Sequence, residues 1–529
     1  MLRTEFTAAT GRAVLTDFMP VDRLVDSRLG QSDAALHRVI RRLECVEGRL
    51  AFELVFRPTF DFARRSARLE LTGDGATASI EGEALELSVA PPGALRIDGD
   101  RVVGRLDLSQ GDLRWLTVAH RAPAVPPSGT DPARLLALAL EHWREWDQGC
   151  TYRGPYEREV RGSARVLKML SFAPTGALVA APTTSLPEEI GGIRNWDYRF
   201  CWLRDAALVL SALADIGYHG TARDFFQWLD DLCPDDGCDD LQIMYRIDGG
   251  AELPEIELRH LSGYRDSRPV RIGNAAAGQR QLDVYGYVLD AALLSAGHLA
   301  PIRPGLWVVL RHLADQAAAR WTETDHGIWE IRGEPRRFTS SMLMCWVALD
   351  RAIRLAEQAG LDGDTSAWRR ERDAVRAFIL EQCFDPAVGA FTQSPGWPAL
   401  DASALLIPLV HFLPPDDPRV VRTVESIRRT LTANGLVYRY LNDDGLPGQE
   451  ATFALCSFWM VDNLALQGRL DEARALFERV LGYASDLGLL SEEIDPINRQ
   501  LIGNYPQGFT HLALIRSAVT LARAGQGTR

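Results

Sequence analysis

A run of aromatic and charged side chains leads directly into an apolar helical segment. In "IGGIRNWDYRFCWLRDAALVLSAL", residues 190–213, the side chains able to do chemistry are Trp196, Tyr198, Phe200, Trp202, Arg204 and Asp205. Aromatic rings stack on the C–H face of a sugar, and charged groups hydrogen-bond strongly to its hydroxyls. The segment therefore suits a sugar pocket. The alternative is structural: Asp205 caps the helix and the aromatics fill a buried extended segment.

A single glutamate lies beside apolar residues in a predicted loop. Glu330 follows Ile328 and Trp329 and precedes a helical pattern. A carboxyl group held against these side chains would be kept protonated, as a general acid requires. Alternatively, Glu330 is a partly exposed loop residue that forms a salt bridge with Arg332 or Arg336.

A cluster of carboxylates stands in a second loop, before the last predicted helix. The segment "SEEID" contains Glu492, Glu493 and Asp495. Two glutamates and an aspartate in one loop are candidates for chemistry. On its own, however, such a cluster is also explained by solvated charge near the end of a helix.

The first 121 residues have the alternating pattern of β-strands. Apolar residues occupy every second position in three stretches: Leu50 to Phe56, Leu85 to Val89, and Leu106 to Leu108. Turn signals such as "TGDG" and "PPG" separate the stretches. This pattern predicts an antiparallel β-sandwich over residues 1–121. Residues 122–135 are rich in Pro and Gly and are predicted to form a linker.

From residue 136 to 529 the dominant pattern is helical. Helix starts are predicted at residues 131, 205, 221, 283, 302, 339, 365, 400, 417, 451, 470 and 509. These suggest six helical hairpins closed into an (α/α)6 barrel. A helical solenoid is the alternative, but the sequence shows no fixed repeat length. The predicted fold class is mainly α, with the (α/α)6 catalytic barrel preceded by a smaller antiparallel β-sandwich.

Composition and charge exclude several function classes. The net charge of −13 over 529 residues argues against a nucleic-acid binder or an anionic-membrane binder, because Lys and Arg are not in excess. No apolar run approaches the roughly 18 residues of a membrane span, and no signal peptide is evident. Cys233 and Cys238 are close, but their spacing does not match a zinc site. We expect a cytoplasmic protein with reduced thiols and no metal.

An acidic stretch suggests a different chemistry. "DDLCPDDGCDD", residues 230–240, has the acidic density of a magnesium–diphosphate site, as in the helical terpene synthases. Its acidic groups flank Pro234 and Gly237 in a predicted loop, and no second metal-binding motif is evident. We therefore place this interpretation far below the sugar pocket.

Five segments together resemble glycoside hydrolase family 15, which contains glucoamylases, glucodextranases and some bacterial trehalases. They are "GGIRNWDYRFCWLRD", "GNAAAGQRQLDVYG", "GIWEIRGEPRRF", "CSFWMVDNLALQGR" and "EEIDPINRQLIGNYPQGFTH". The resemblance extends over essentially the whole chain and implies a β-sandwich followed by an (α/α)6 barrel. It also implies an inverting α-glucoside hydrolase that needs no metal or organic cofactor and takes a small oligosaccharide as its substrate.

The resemblance implies roles for individual residues. Glu330 falls on the general acid of the family and Glu492 on the general base. The residues expected to bind the substrate are Tyr198, Trp202, Arg204, Asp205, Trp329, Arg332, Gln281 and Asp283. Hydrolysis with inversion requires two carboxyl groups about 6.5–9.5 Å apart, and a barrel brings distant loops to one mouth.

Departures from the family pattern guide the expected substrate. Where related trehalases carry His, His and Lys after the acid, this chain carries Arg337, Ser340 and Met342, and "EATF" at 450–453 replaces the usual "EGAF". The loss of polar groups near the acid favours an isomaltose-type α-1,6 substrate, cleaved to release β-glucose. The alternatives are a trehalase, a maltose-type glucoamylase and, more remotely, an inactive carbohydrate-binding protein. The sequence leaves assembly into a homo-oligomer open.

Overall fold

The computed structural model describes residues 1–21, 37–121, 131–233, 241–299, 301–448 and 450–526. These residues divide into two compact units, Met1–Gln148 and Gly149–Arg529. Most of the predicted linker, residues 122–130, lies outside the described residues. So does most of the acidic stretch at 230–240, from residue 234 onward.

The first unit is built on an antiparallel sheet. Its strands are β1 (Leu2–Ala8), β2 (Gly11–Phe18), β3 (Arg38–Phe56), β4 (Arg68–Leu71), β5 (Gly75–Ile80), β6 (Glu83–Ala90), β7 (Leu95–Asp98), β8 (Arg101–Ser109) and β9 (Leu113–Arg121). The strand order is β1-β2-β3-β9-β6-β5-β4, with β8 paired to β3 and β7 to β8. The alternating apolar pattern thus predicted the strand class of this unit correctly.

The long strand β3 joins two arms of this sheet. Its first half pairs with β2 and β9, and its second half, from Arg49, pairs with β8. Gly48 stands at the change of partner with φ of 65°, and a Cβ there would lie 2.2 Å from the carbonyl oxygen of Thr10. Only glycine fits such a close approach. Apolar residues of both arms, such as Leu43 and Leu106, share one core.

Helix α1 (Pro132–Gln148) belongs with the sheet unit. Ala139 of α1 is buried against Phe18 and Ile40, and Leu135 and Leu136 pack around them. The sequence prediction began the catalytic domain at residue 136, whereas these apolar contacts place α1 in the first unit.

The second unit is mainly helical. Its helices are α2 (Glu157–Met169), α3 (Leu203–Ala214), α4 (Gly220–Asp231), α5 (Asp283–Leu299), α6 (Pro304–Arg320), α7 (Thr339–Ala359), α8 (Thr365–Phe378), α9 (Leu406–Leu409), α10 (Pro418–Thr430), α11 (Ala454–Leu466), α12 (Leu470–Leu481) and α13 (Gly508–Gln526). The predicted helix starts fall within three residues of observed ones, counting the 3-10 turn Ala402–Leu405 that leads into α9. The prediction missed α2.

Short strands occur in the loops of the second unit. They are β10 (Cys201–Trp202), β11 (Met244–Tyr245), β12 (Ile256–Glu257), β13 (Arg271–Ile272), β14 (Phe384–Asp385), β15 (Ala390–Phe391), β16 (Thr432–Ala433), β17 (Leu436–Val437), β18 (Thr452–Phe453), β19 (Glu493–Asp495) and β20 (Gln500–Ile502). The last three form one antiparallel sheet in the order β18-β19-β20.

Six helical elements of the second unit contact one another in a closed series. α3 contacts α5, α5 contacts α7, α7 contacts the turn Ala402–Leu405, that turn contacts α11, α11 contacts α13, and α13 contacts α3. The helices α2, α8 and α10 each pack against one member of this series, and α4, α6 and α12 each pack against two neighbouring members. The series members α3 and α11 are apolar on nearly every side, as expected of helices surrounded by protein.

The helices and the cysteines of the described residues can be set against the expectations of no membrane span and of reduced thiols. None of their helices is long and apolar enough to cross a membrane. Six of their cysteines are buried and free: Cys45, Cys150, Cys201, Cys345, Cys383 and Cys456. Cys233 is disulfide-bonded, so the expectation of reduced thiols is wrong for this residue.

Candidate active site

The loop that carries Glu330 is closed by backbone hydrogen bonds. Asp325 and Arg336 exchange two of them, each 2.9 Å long, just before α7. Inside the loop Glu330 has φ of 57°, a left-handed conformation that is uncommon for a residue with a side chain. Such a conformation persists only where the surroundings enforce it, and it clusters at functional sites. The Glu330 side chain is 19% exposed.

Two donors converge on one oxygen of Glu330. The indole N–H of Trp202 donates to Oε1 at 2.7 Å, and Nη2 of Arg204 donates to the same oxygen at 3.1 Å. Charged hydrogen bonds of this kind are stronger than neutral ones. Because both use Oε1, they orient the carboxyl group without using Oε2.

The arginines that follow Glu330 in sequence are engaged elsewhere. Arg332 lies over the ring of Trp196, 4.9 Å from its centroid, and Arg336 lies over Trp397 at 3.8 Å. Among the described residues, the salt-bridge partner of Glu330 is Arg204 instead. The structural alternative of a loop salt bridge to Arg332 or Arg336 is therefore wrong.

Arg204 is held from behind by two buried side chains. Its Nη1 donates to Oε1 of Gln281 at 2.7 Å and lies 3.5 Å from Oδ2 of Asp283. Gln281 is 3% exposed, Asp283 is fully buried, and neither lines the pocket described below. The predicted direct contact of these two residues with substrate is thus not supported. They orient Arg204, which itself lines the pocket.

Asp205 lies inside the first turn of α3 and not at its cap. The N-cap residue is Trp202, so the capping role suggested for Asp205 is wrong. Asp205 is 6% exposed, and its Oδ2 has no hydrogen-bond partner among the described residues. Burial raises the pKa of Asp205 to about 8, and the charge of Arg204 opposes this rise. The Oδ2 oxygen lies 3.7 Å from Nε of Arg204, too far for a hydrogen bond, and is an acceptor that a hydroxyl group could satisfy.

Glu492 stands immediately before β19, the central strand of the small sheet. The hydroxyl of Tyr198 donates to its Oε1 at 2.8 Å. Glu492 is 3% exposed, and within the described ranges its Oε2 accepts no hydrogen bond. Burial raises the pKa of Glu492 to about 7, while Arg439 and the bond from Tyr198 act in the opposite direction. A buried carboxyl with one free oxygen is suited to accept a proton from water.

One pocket of the second unit, with about 660 Å³ of empty space, brings these groups together. The predicted site residues in its lining are Tyr198, Trp202, Arg204, Asp205, Trp329, Glu330, Arg332 and Glu492. The polar and aromatic lining residues that sequence analysis missed are Glu188, Arg194, Asn274, Arg439, Tyr440, Asp444, Glu450, Phe453, Gln507 and Phe509. The acidic segment "NDDGLPGQEATF", residues 442–453, contains three of them, Asp444, Glu450 and Phe453, and was the available signal.

Two arginines and two carboxylates form a network in the pocket lining. Arg439 binds Glu450 through Nε at 2.9 Å and through Nη2 at 2.6 Å. Arg194 binds both oxygens of Asp444, at 2.6 and 2.9 Å, and also reaches Glu450 at 2.6 Å. Bidentate pairs of this kind fix geometry as well as charge. The network therefore gives the pocket a rigid polar side.

Three of the residues that depart from the family pattern lie outside the pocket lining, and the segment that contains the fourth departure contributes Glu450 to it. Arg337 is exposed and lies over the ring of Phe378, while Ser340 and Met342 are buried in α7 at 4% and 1% exposure. None of these three departures is among the residues that line the pocket. Glu450, from "EATF", does line it.

The sequence of the chain matches a known protein family. The family model "Glycosyl hydrolases family 15" matches residues 154–519. The chain belongs to this family. It is therefore a glycoside hydrolase.

Within the parts that the structure describes, no three His, Cys, Asp or Glu side chains are grouped to hold a metal ion.

Relatives of this family 15 glycoside hydrolase match almost its whole length. It is 42% identical to "Trehalase" of Mycobacterium tuberculosis over 93% of this chain and 74% of the relative. It is 36% identical to "Trehalase" of Thermoplasma volcanium over 99% of this chain and 83% of the relative.

The fold of the enzyme also matches solved structures. A bacterial glucoamylase complexed with acarbose superposes with a TM-score of 0.74 at 14% identity, covering 97% of this chain and 82% of the other. Glucoamylase from Saccharomycopsis fibuligera superposes with a TM-score of 0.54 at 14% identity, covering 71% and 99%. At these identities the likeness concerns the fold: mainly helical, with an N-terminal antiparallel sheet domain.

Proposed function

We propose that the protein is an inverting trehalase, which hydrolyses α,α-trehalose to one α-glucose and one β-glucose. The substrate assignment rests on sequence identity. The chain is 42% and 36% identical to two proteins named trehalase, each matched over more than nine-tenths of this chain. The pocket that holds Glu330 and Glu492 together supports the chemistry.

The two carboxyl groups take complementary roles in this proposal. Glu330 gives its proton to the oxygen that bridges the two glucose units, and that C1–O bond breaks. Glu492 accepts a proton from the water whose oxygen forms the new bond to C1 on the opposite face. The products are two glucose molecules, with Glu330 ionised and Glu492 protonated before the next cycle. Each such group contributes about 10²–10⁴ to the rate.

The surrounding side chains are proposed to hold the reacting glucose. Arg204 and Asp205 offer a charged donor and an unpaired acceptor oxygen for its hydroxyls. Trp329 lines the pocket and is fixed by a 2.9 Å hydrogen bond from its Nε1 to Asp401. A lining of polar and aromatic side chains suits a single bound sugar.

Trehalose replaces isomaltose as the leading substrate. The isomaltose expectation rested on Arg337, Ser340 and Met342, and none of these residues lines the pocket. Their departure from the trehalase pattern therefore does not remove polar groups from the site. We retain isomaltose and maltose as comparison substrates.

We also propose that the closed series of helices is the inner ring of the predicted (α/α)6 barrel. The six further helices that pack on one or two neighbouring members of the series support this assignment. In such a barrel the loops that carry Glu330 and Glu492 meet at one end.

Initial rates of glucose release test the substrate assignment. We expect kcat/KM for trehalose to exceed that for isomaltose and for maltose by at least about tenfold, because a site built around one set of hydroxyls rejects other arrangements. A higher kcat/KM for isomaltose would contradict the proposal and restore the α-1,6 substrate.

A further inference from the structure

The segment that carries Glu188 is fixed to the segment behind Glu492. The carbonyl oxygen of Pro187 accepts a 2.7 Å hydrogen bond from the N–H of Gly503. The N–H of Glu188 itself donates to the carbonyl oxygen of Arg194 at 3.1 Å. These bonds place Glu188 firmly beside the pocket, close to the proposed catalytic base.

Glu188 is one of the residues that line the pocket, and its Oε2 has no hydrogen bond among the described residues. Glu188 is 2% exposed, and no described residue donates to Oε2. Nη2 of Arg439 is 3.7 Å from that oxygen, which is too long for a hydrogen bond. Buried polar atoms are rarely left unpaired, because the loss of water is costly.

Arg439 directs its short hydrogen bonds at Glu450 and not at Glu188. Its guanidinium already makes short contacts to both oxygens of Glu450, at 2.9 and 2.6 Å. Glu493 also stands 3.7 Å from the same Nη2. Burial, together with the nearby charges of Glu492 and Glu450, raises the pKa of Glu188 well above its usual value, and Arg439 only partly opposes this. A neutral carboxyl group can both donate and accept a hydrogen bond.

We propose that Oε2 of Glu188 binds a hydroxyl group of the glucose that occupies the reacting site. This inference rests on the proposed function only in requiring that a glucose unit enters this pocket. Glucose carries hydroxyl groups around its ring, so one of them can donate the hydrogen bond that Oε2 of Glu188 lacks. Glu188 then helps to set which hydroxyl pattern the site accepts.

A series of deoxy sugars tests the proposal without any hydrolysis. The dissociation constants of D-glucose and of its 2-, 3-, 4- and 6-deoxy forms are measured by calorimetry for the unsubstituted protein, Glu188→Ala and Glu188→Gln. For the unsubstituted protein we expect the deoxy sugar that lacks the hydroxyl bound by Glu188 to bind about 10- to 100-fold more weakly than glucose. In Glu188→Ala glucose itself should weaken to that level, so that the ratio falls to about 1. Other deoxy sugars can also bind weakly through Arg204 and Asp205, but their ratio to glucose should not change in the Glu188 variants. Glu188→Gln keeps an acceptor oxygen and should retain the discrimination.

The control variant is Glu189→Ala, because Glu189 is the adjacent residue and does not line the pocket. It should leave all five dissociation constants unchanged. If Glu188→Ala weakens glucose and every deoxy sugar by the same factor, Glu188 only supports Arg439 and the proposal is wrong. Unchanged binding in Glu188→Ala would overturn it equally. A protein that binds glucose with this coupling but does not hydrolyse trehalose would refute the proposed function alone.

Discussion

The rings of Tyr198 and Trp202 lie 5.5 Å apart, centroid to centroid, in an edge-to-face contact. The hydroxyl of Tyr198 donates to Glu492, and the indole of Trp202 donates to Glu330. One aromatic pair therefore positions both carboxyl groups, although these come from loops 162 residues apart in sequence. This relationship explains why aromatic residues gather before α3.

Replacing Glu330 should separate acid catalysis from the rest of the reaction. We expect Glu330→Gln to lower kcat on trehalose by about 10²–10⁴. The same variant should keep most of its activity on α-glucosyl fluoride, because fluoride leaves without being protonated. Stopped assays of glucose release on both substrates measure the difference. Glu334→Gln, at an exposed position in the same loop, is the control and should behave like the unsubstituted enzyme. Equal losses on both substrates would remove Glu330 as the acid.

Truncation of Glu492 should be open to chemical rescue. Glu492→Ala is expected to lose about 10²–10⁴ in kcat on either substrate, because no group then accepts the proton of water. Azide, which needs no base, should restore part of the rate on α-glucosyl fluoride and yield β-glucosyl azide, detectable by mass spectrometry and NMR. Glu493→Ala serves as the comparison, since Glu493 does not line the pocket and its Oε2 accepts a backbone hydrogen bond from Ala451. Azide rescue of Glu493→Ala instead would move the base by one residue.

The pH profile should follow the ionisation of Glu492. Burial raises the pKa of Glu492 to about 7, and a general base works only when ionised, so kcat/KM should fall as the pH decreases through about 7. Tyr198→Phe removes a hydrogen bond that favours the ionised form of Glu492. The fall in kcat/KM on the acidic side of the profile should therefore move to higher pH. Tyr264→Phe, at a 50% exposed site, is the control. An acidic limb that does not move in Tyr198→Phe would show that another group controls it.

The class of the long strands of the first unit and of most helices could be predicted from the sequence because their apolar residues recur with the period of a strand or a helix. The short strands β10–β20 were not predicted, because two or three residues do not establish a period. Helix α2 was missed because its buried stripe, including Val160 and Leu167, is interrupted by Gly162 and Ser163 and surrounded by arginines. The position of α1 was misjudged because an apolar stripe does not reveal which partner it covers. In both cases the local sequence pattern does not show which part of the fold the helix packs against.

The two catalytic candidates came from the resemblance to a family, and the structure adds what surrounds them. The ion pair between Arg194 and Glu450 joins residues 256 positions apart, and no local pattern announces such a contact. The same holds for Glu188, whose importance arises from an oxygen without a described hydrogen-bond partner.

Gly503 should be required for the placement of Glu492. Its φ is 76°, and a Cβ there would lie 3.1 Å from both Cβ and Oε2 of Glu492. We expect Gly503→Ala to reduce the free energy of unfolding by about 1–3 kcal/mol through backbone strain and to lower kcat as well, because Glu492 is displaced. Gly488→Ala is the matched control: its φ is 74°, and nothing described lies within 4 Å of the added Cβ. Denaturant unfolding and initial rates would separate the two effects. An equal kcat in both variants would show that Gly503 matters only for strain.

The central claim is hydrolysis of trehalose with inversion by Glu330 and Glu492. Proton NMR of trehalose mixed with the enzyme, recorded within minutes and before mutarotation, tests it most directly. We predict equal early signals of α-glucose and β-glucose, because the attacked carbon inverts while the leaving glucose keeps its configuration. Early α-glucose alone would mean retention and would contradict the assignment of an acid and a base to the two carboxyl groups.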